Sequence, residues 1–295
     1  MARVKQFFRQ IERGLARTRQ WANVQYLLHC AGWQQVVDSY RTRACADEAP
    51  IPPDAPIWTC WWQGEEAMPD IAKACYQAMK RFAGSHPVIL VTGQNWREYT
   101  SLPDYIVDKQ RSGVIDLTHF SDILRMKLLS EHGGIWMDST LLPVKPIDTF
   151  VLPGMSYWSC HHHTRYHNIS KGGWVSFFVA CSKGHILPSF IVDAHLAYWK
   201  GHNRLIDYLL LDYAFAVARR YLPVVHDLVE QTPYSEMGPL GKCMNGEYNA
   251  EQWQMYCTRY DFHKLTYKVP VSRCTQEGRL TWYGHILDEF GVQRG

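Results

Sequence analysis

Apolar and polar positions along the chain change period several times, and each change predicts an element. Residues 1–46 read as helical. Val4, Phe7, Phe8, Ile11 and Leu15 recur at helical spacing with basic residues between them. A second helical stretch is predicted from Trp21 to Tyr40. The breaker-rich run Ala49-Pro50-Ile51-Pro52-Pro53-Asp54-Ala55-Pro56 then reads as a domain edge. Beyond it the period shortens. Ile57–Trp62 is a compact apolar and aromatic run closed by Gln63-Gly64, which predicts a buried strand. Ile71, Ala74, Cys75, Ala78 and Met79 give the next segment one helical face, and Pro87–Thr92 predicts a second strand. Strand, helix and strand at this spacing form a βαβ unit, so the sheet is expected to be largely parallel.

Val114–Asp116 predicts a third short strand. The helix after it is placed at Ser121–Glu131, with Ser121 as N-cap and Gly133-Gly134 as terminator. Ile135-Trp136-Met137-Asp138 follows as a strand ending in an acid. Further on, strands are predicted at Ser156–Cys160 and Val175–Ala180, and helices at Leu187–Lys200 and Arg204–Tyr221. No internal repeat is found. The pattern gives an α/β class with two parts, a basic helical extension over 1–48 and one large domain over 49–295.

Composition narrows the function classes. The chain is 46% hydrophobic and 20% charged, enough to bury a sizeable core. A net charge of +3 does not point to a nucleic-acid binder, which would show a strong basic stripe. The first twenty residues nevertheless carry Arg3, Lys5, Arg9, Arg13, Arg17 and Arg19 against Glu12 alone. Two readings are open for them, a solvated helix face or contact with an anionic membrane surface. The 9 Cys are scattered without CxxC spacing, which argues against a disulfide framework or a zinc site and for a reducing compartment. The start lacks the apolar stretch of a signal peptide, and no run of about twenty apolar residues could span a bilayer. These features predict a cytosolic protein, with the inner membrane surface as the one alternative. The 12 Trp and 17 Tyr suit both a packed core and the stacking of flat ligands or sugar rings.

Candidate chemistry is concentrated between Ser121 and Thr140. Asp122 and Arg125 are three residues apart and share a helix face. Asp138 falls at the carboxyl end of a buried strand, where open α/β sheets bind ligands. A carboxylate there can help hold a hard divalent cation against a diphosphate, and Asp122 and Arg125 can reach sugar hydroxyls or phosphate. The competing reading is a structural Asp–Arg pair beside an ordinary turn acid. Glycine-rich phosphate loops and the GxSxG elbow are absent.

This segment, Ser121-Asp122-Ile123-Leu124-Arg125 with Gly133-Gly134-Ile135-Trp136-Met137-Asp138, resembles the S-D-x-x-R … G-G-I-[YW]-x-D signature of the capsular polysaccharide synthesis proteins. They are related to the family 32 and clostridial-toxin type glycosyltransferases, which carry a DXD sugar-binding motif. Pro56–Gly64, Thr92–Asn95, Leu102–Ile106, Tyr198-Trp199, Ile206–Tyr208 and His263–Lys268 also fit, so the resemblance spans roughly residues 50–285.

The resemblance implies a GT-A (Rossmann-like) fold. It implies transfer of a sugar from a nucleoside diphosphate donor, linked to UDP or GDP, to an oligosaccharide or lipid-linked glycan, with retention of configuration. Asp122 would hydrogen-bond the donor sugar and Arg125 would contact that sugar or its phosphate. Asp138 would open the metal motif. The second acidic position falls on Thr140, so the motif is Asp138-Ser139-Thr140, and Mn²⁺ or Mg²⁺ would be held more weakly. His285 is the candidate third ligand, with a structural histidine as the alternative; an imidazole would favour Mn²⁺.

Lys264 and Lys268 are candidates for the leaving diphosphate, against a reading as surface lysines. Trp58 and Trp61 are candidates for base stacking. Asp207 and His163 are candidates for the acceptor side; for Asp207 a helix N-terminal acid is the alternative. The histidines of the Cys160–His167 run invite a metal site, but no carboxylate partner stands at fixed spacing. Two rival functions remain, a glycan-binding relative without turnover and a metal-dependent hydrolase built on that run.

Overall fold

A computed structural model describes residues 2–41, 49–151, 153–161 and 169–293, with side chains from residue 12 onward. Helix α1 (Ala2–Cys30) is followed by α2 (Trp33–Arg41). The break between them falls at Gly32, where φ is 79°, and not near Trp21 as the periodicity predicts. Val24, Leu27, Leu28, Trp33, Val37 and Tyr40 form one buried face that joins the main hydrophobic cluster. Full burial of such side chains is worth about 1.5–3 kcal/mol each. The second half of α1 and α2 are therefore part of the core. Earlier on α1, Leu15 and Trp21 stay exposed.

The main sheet begins with β1 (Ile57–Cys60), which α3 (Asp70–Phe82) connects to β2 (Val88–Val91). Two helices, α4 (Trp96–Tyr99) and α5 (Asp104–Arg111), lead to α6 (Leu117–His132) and β3 (Gly134–Met137). Strand β1 pairs in parallel with both β2 and β3, as the βαβ reading requires. After β4 (Leu141–Pro143) the chain forms β5 (Tyr157–Ser159) and β6 (Phe178–Cys181), which complete the sheet antiparallel in the order β2-β1-β3-β6-β5.

Helices α7 (Ile186–Gly201) and α8 (Leu210–Tyr221) cover one face and share their hydrophobic cluster with α2 and α6. Then come α9 (Pro223–Gln231), β7 (Met237–Gly238), α10 (Ala250–Arg259), β8 (Phe262–Lys264) and α11 (Trp282–Glu289). A second sheet has the order β4-β8-β7, with Leu141 opposite Lys264. The fold is mixed α/β, as expected, with β3 central and its acidic end open to a cleft.

Several predicted elements shift. Val114–Asp116 forms no strand. Ile115 is buried and donates its N–H to the Lys109 carbonyl. Asp116 caps α6 instead, its carboxylate accepting from the His119 N–H at 2.9 Å. An acid at that place satisfies an orphan donor of the first turn, so the helix starts four residues before Ser121, which becomes an interior residue lining the cleft. The Arg204–Tyr221 helix begins only at Leu210, because the Asp207 carboxylate takes the Leu209 N–H in a local turn at 3.1 Å.

The link from α6 to β3 depends on its two glycines. Gly133 has φ 68° and Gly134 φ 101°. A Cβ on Gly134 would collide with the Pro56 carbonyl oxygen, and one on Gly133 with the Lys183 backbone nitrogen. Only glycine lets helix and strand follow one another this tightly.

Candidate active site

A cleft of about 870 Å³ opens at the carboxyl ends of β1 and β3. That size suits a nucleotide-sized ligand. Its floor is built from three segments that the fold brings together: α6, the end of β3 with the turn after it, and the last residue of β8. Helical spacing puts Asp122 and Arg125 on one face, and Arg125 Nη2 lies 3.1 Å from Asp122 Oδ1 and 3.4 Å from Asp138 Oδ1. Arg125 Nη1 donates to the Ser176 carbonyl at 2.6 Å. Its guanidinium lies over the Trp136 ring, 5.0 Å from the centroid. The predicted trio of Asp122, Arg125 and Asp138 is thus one connected ionic cluster.

The register of the second sheet supplies the other cation. Lys264 Nζ donates to Asp138 Oδ2 at 2.8 Å and to Thr140 Oγ1 at 2.9 Å. Asp138 Oδ1 accepts from Trp136 Nε1 at 3.0 Å. Burial alone would raise the Asp138 pKa, but the charges of Lys264 and Arg125 and these hydrogen bonds hold it below the usual carboxylate value. Asp122 goes the other way. Burial raises it, with Arg125 only partly opposing and Asp138 adding to the rise.

One acid of the cleft was not singled out from the sequence. Asp212, on the first turn of α8, lines the floor and accepts from Trp174 Nε1 at 2.9 Å. Burial, with a contribution from the Asp122 charge, lifts its pKa to about 6. The only signal was a lone carboxylate among Leu210, Leu211, Tyr213 and Ala214, which also reads as an acid favoured by the helix dipole. Cys60 also borders the cleft, but burial pushes its thiol up to about 12, so it supplies no thiolate near neutral pH.

Aromatic residues form one wall. β1 ends at Cys60, so Trp61 and Trp62 lie in the turn beyond it and face the cleft. Trp61 packs edge-on to Tyr267 with centroids 5.3 Å apart, and Trp62 packs on Phe120. Lys268 lies at the same mouth.

Other candidates are placed elsewhere. Trp58 is buried, and its Nε1 donates to the Gly133 carbonyl at 2.9 Å. It braces the α6–β3 turn and does not line the cleft, because it sits two residues before the strand end at Cys60 and packs on Tyr99 and His132. Asp207 docks α1. It pairs with Arg19 at 3.1 Å and accepts from Asn23 at 3.3 Å, while its neighbour Tyr208 lines the cleft. His285 stacks on Tyr248 at 3.9 Å and meets Trp253 edge-on, away from Asp138. His163 lies outside the described residues.

The expected Mn²⁺ or Mg²⁺ site can be tested on the donor set. Such a cation needs about six oxygen ligands, with carboxylates contributing charge. Here both oxygens of Asp138 are already engaged, Thr140 is neutral and already accepts from Lys264, and His285 is absent from the cleft. Among the described residues no group of three His, Cys, Asp or Glu side chains could hold a metal ion. Asp138 and Thr140 as arranged do not fit a divalent cation.

Comparisons with known proteins bear on the family. No curated protein sequence matches the chain. The solved structure of the PaToxG glycosyltransferase is similar at a TM-score of 0.42 and 14% identity, over 72% of this chain and 83% of that one. The model of the family described as capsular polysaccharide synthesis protein matches residues 34–286, a stretch that runs from α2 through the α6–β3 signature into α11. The chain belongs to the capsular polysaccharide synthesis protein family.

Proposed function

We propose that the cleft binds a nucleoside diphosphate sugar, linked to UDP or GDP, and transfers its sugar to a hydroxyl of a growing surface glycan. The observation that carries this reading is the ionic cluster of Asp122, Arg125, Asp138 and Lys264 beside an aromatic wall at the end of a parallel strand. The wall of Trp61 and Tyr267 suits a flat base, Lys264 and Lys268 suit a diphosphate, and Asp122 suits sugar hydroxyls. In the reaction the bond from the anomeric carbon to the β-phosphate oxygen breaks, and its electron pair leaves on that oxygen. The acceptor oxygen bonds to the anomeric carbon, and its proton passes to the released diphosphate. Such a mechanism rests on positioning and charge neutralisation and needs no protein base if configuration is retained. Retention is part of the proposal.

The same proposal places the protein at the cytosolic membrane face. Arg13 and Arg17 are exposed on α1 beside exposed Leu15 and Trp21, a mixture suited to an anionic surface. Among the described residues no helix is long and apolar enough to cross a membrane.

The test is a panel of nucleotide sugars offered with and without glycan acceptors, with NMR assignment of the product anomer. One donor turned over by the wild type and spared by Asp138→Asn supports transfer. Binding of a donor without turnover in any condition replaces this reading with a glycan-binding relative.

A further inference from the structure

Lys264 occupies the place where the Asp138-Ser139-Thr140 motif leads one to expect a metal. Its Nζ is bound at once by Asp138 Oδ2 and Thr140 Oγ1, the two side chains that would chelate a cation from this turn. Sheet register dictates the position. Lys264 stands opposite Leu141, and the Leu265 N–H donates to the Thr140 carbonyl at 2.9 Å. The face of Phe177 lies 4.9 Å from the same ammonium and favours a cation there.

The charges around it agree with this placement. Asp122, Asp138 and Asp212 face Arg125 and Lys264 across the floor, so the lysine already answers the charge of Asp138. A divalent ion within bonding reach of Asp138 would stand against this ammonium in a half-buried site, where like charges repel strongly. The neutral Thr140 is consistent with this: a hydroxyl accepts from an ammonium without adding the second negative charge that a metal needs. A lysine ammonium has three N–H donors. Two are spent on the turn, and the third is left for a ligand in the cleft.

We propose that Lys264 is the resident cation of this site, standing where the DXD-type relatives hold a metal and neutralising the leaving diphosphate, so that the protein works without a divalent cation. The inference rests on the transferase reading for its chemistry. As the bond from the anomeric carbon to the β-phosphate oxygen breaks, the departing oxygen pair receives the third N–H of Lys264, and no metal enters the balance.

The test uses the full chain with Mn²⁺ as the probe, followed by electron paramagnetic resonance and calorimetry, alone and with UDP or GDP. The wild type is expected to bind no Mn²⁺ up to millimolar concentration. The double variant Thr140→Asp/Lys264→Ala, which restores a second acid and removes the ammonium, is expected to acquire binding. Donor turnover by the wild type is expected to agree within about twofold in EDTA and in Mn²⁺, and Lys264→Gln is expected to lose on the order of 100-fold in either.

Wild-type Mn²⁺ binding that Asp138→Asn abolishes overturns the proposal, as does a tenfold loss of turnover in EDTA that Mn²⁺ restores. Thermal melting checks the variants. If Lys264→Gln does not fold, the wild-type titration and the EDTA comparison still decide. If no donor turns over in any condition while the Mn²⁺ results come out as expected, the transferase reading falls and the assignment of Lys264 as the site's cation stands.

Discussion

Asp212→Asn tests whether the cleft stores unfavourable charge. Asp212 is lifted from its ordinary value of 3.8 to about 6 by burial, with the Asp122 charge adding to the rise. A raised carboxyl pKa means that the folded protein holds this proton more tightly than the unfolded chain does. The associated stability is fully present below the unfolded pKa and is lost as pH rises through about 6. The shift is about 2 pH units, worth about 3 kcal/mol at most.

The carboxylate borders an open cleft, so about 1–3 kcal/mol is the expected penalty at pH 7. Asparagine keeps a carbonyl acceptor for Trp174 Nε1, now 2.9 Å from Asp212 Oδ1, and removes the charge. Asp212→Asn should therefore be more stable than the wild type at pH 7 by about 1–3 kcal/mol and equal to it near pH 4. Thermal or urea unfolding at half-unit steps from pH 4 to pH 8 measures the difference. Equal stability at every pH, or a variant weaker at pH 7, refutes the reasoning. Donor turnover belongs in the same experiment: a more stable but slower variant marks Asp212 as a functional acid, since such sites trade stability for activity.

Two tryptophans three residues apart should separate cleanly. Trp58→Ala should cost about 3–5 kcal/mol in unfolding experiments, because it empties a buried site behind the α6–β3 turn. Trp61→Ala should leave the melting temperature nearly unchanged and weaken nucleotide binding by about 1–3 kcal/mol, as read by calorimetry with UDP and GDP. Gly134→Ala should fail to give folded protein by circular dichroism, since its Cβ meets the Pro56 carbonyl and its φ is 101°. Membrane contact is best tested with Leu15→Glu/Trp21→Glu, because both side chains are exposed, whereas removing α1 and α2 would strip Leu27, Trp33 and Tyr40 from the core. The double variant should lose sedimentation with anionic vesicles and keep the wild-type melting temperature.

The chain announces its site over one local stretch. Helical period alone puts Asp122 beside Arg125, two glycines end the helix, and the apolar run after them delivers Asp138 to a strand end. Each of these follows from neighbours a few residues away, so the amino-acid order was enough to determine them. Trp58 and Trp61 were not separable in the same way, because their roles depend on where β1 stops, and pairing with β2 and β3 decides that.

The remaining questions were tertiary. Lys264 meets Asp138 across 126 residues through the register of β4 and β8, and Asp212 reaches the floor only once α8 has packed on the core. Asp207 is claimed by Arg19 on a helix that periodicity could not dock, and His285 is drawn into an aromatic cluster with Tyr248 and Trp253. Local periodicity records which face a residue takes on its own element. The partner that the face meets depends on packing between elements far apart in the chain, and in this protein that packing set an ammonium beside Asp138.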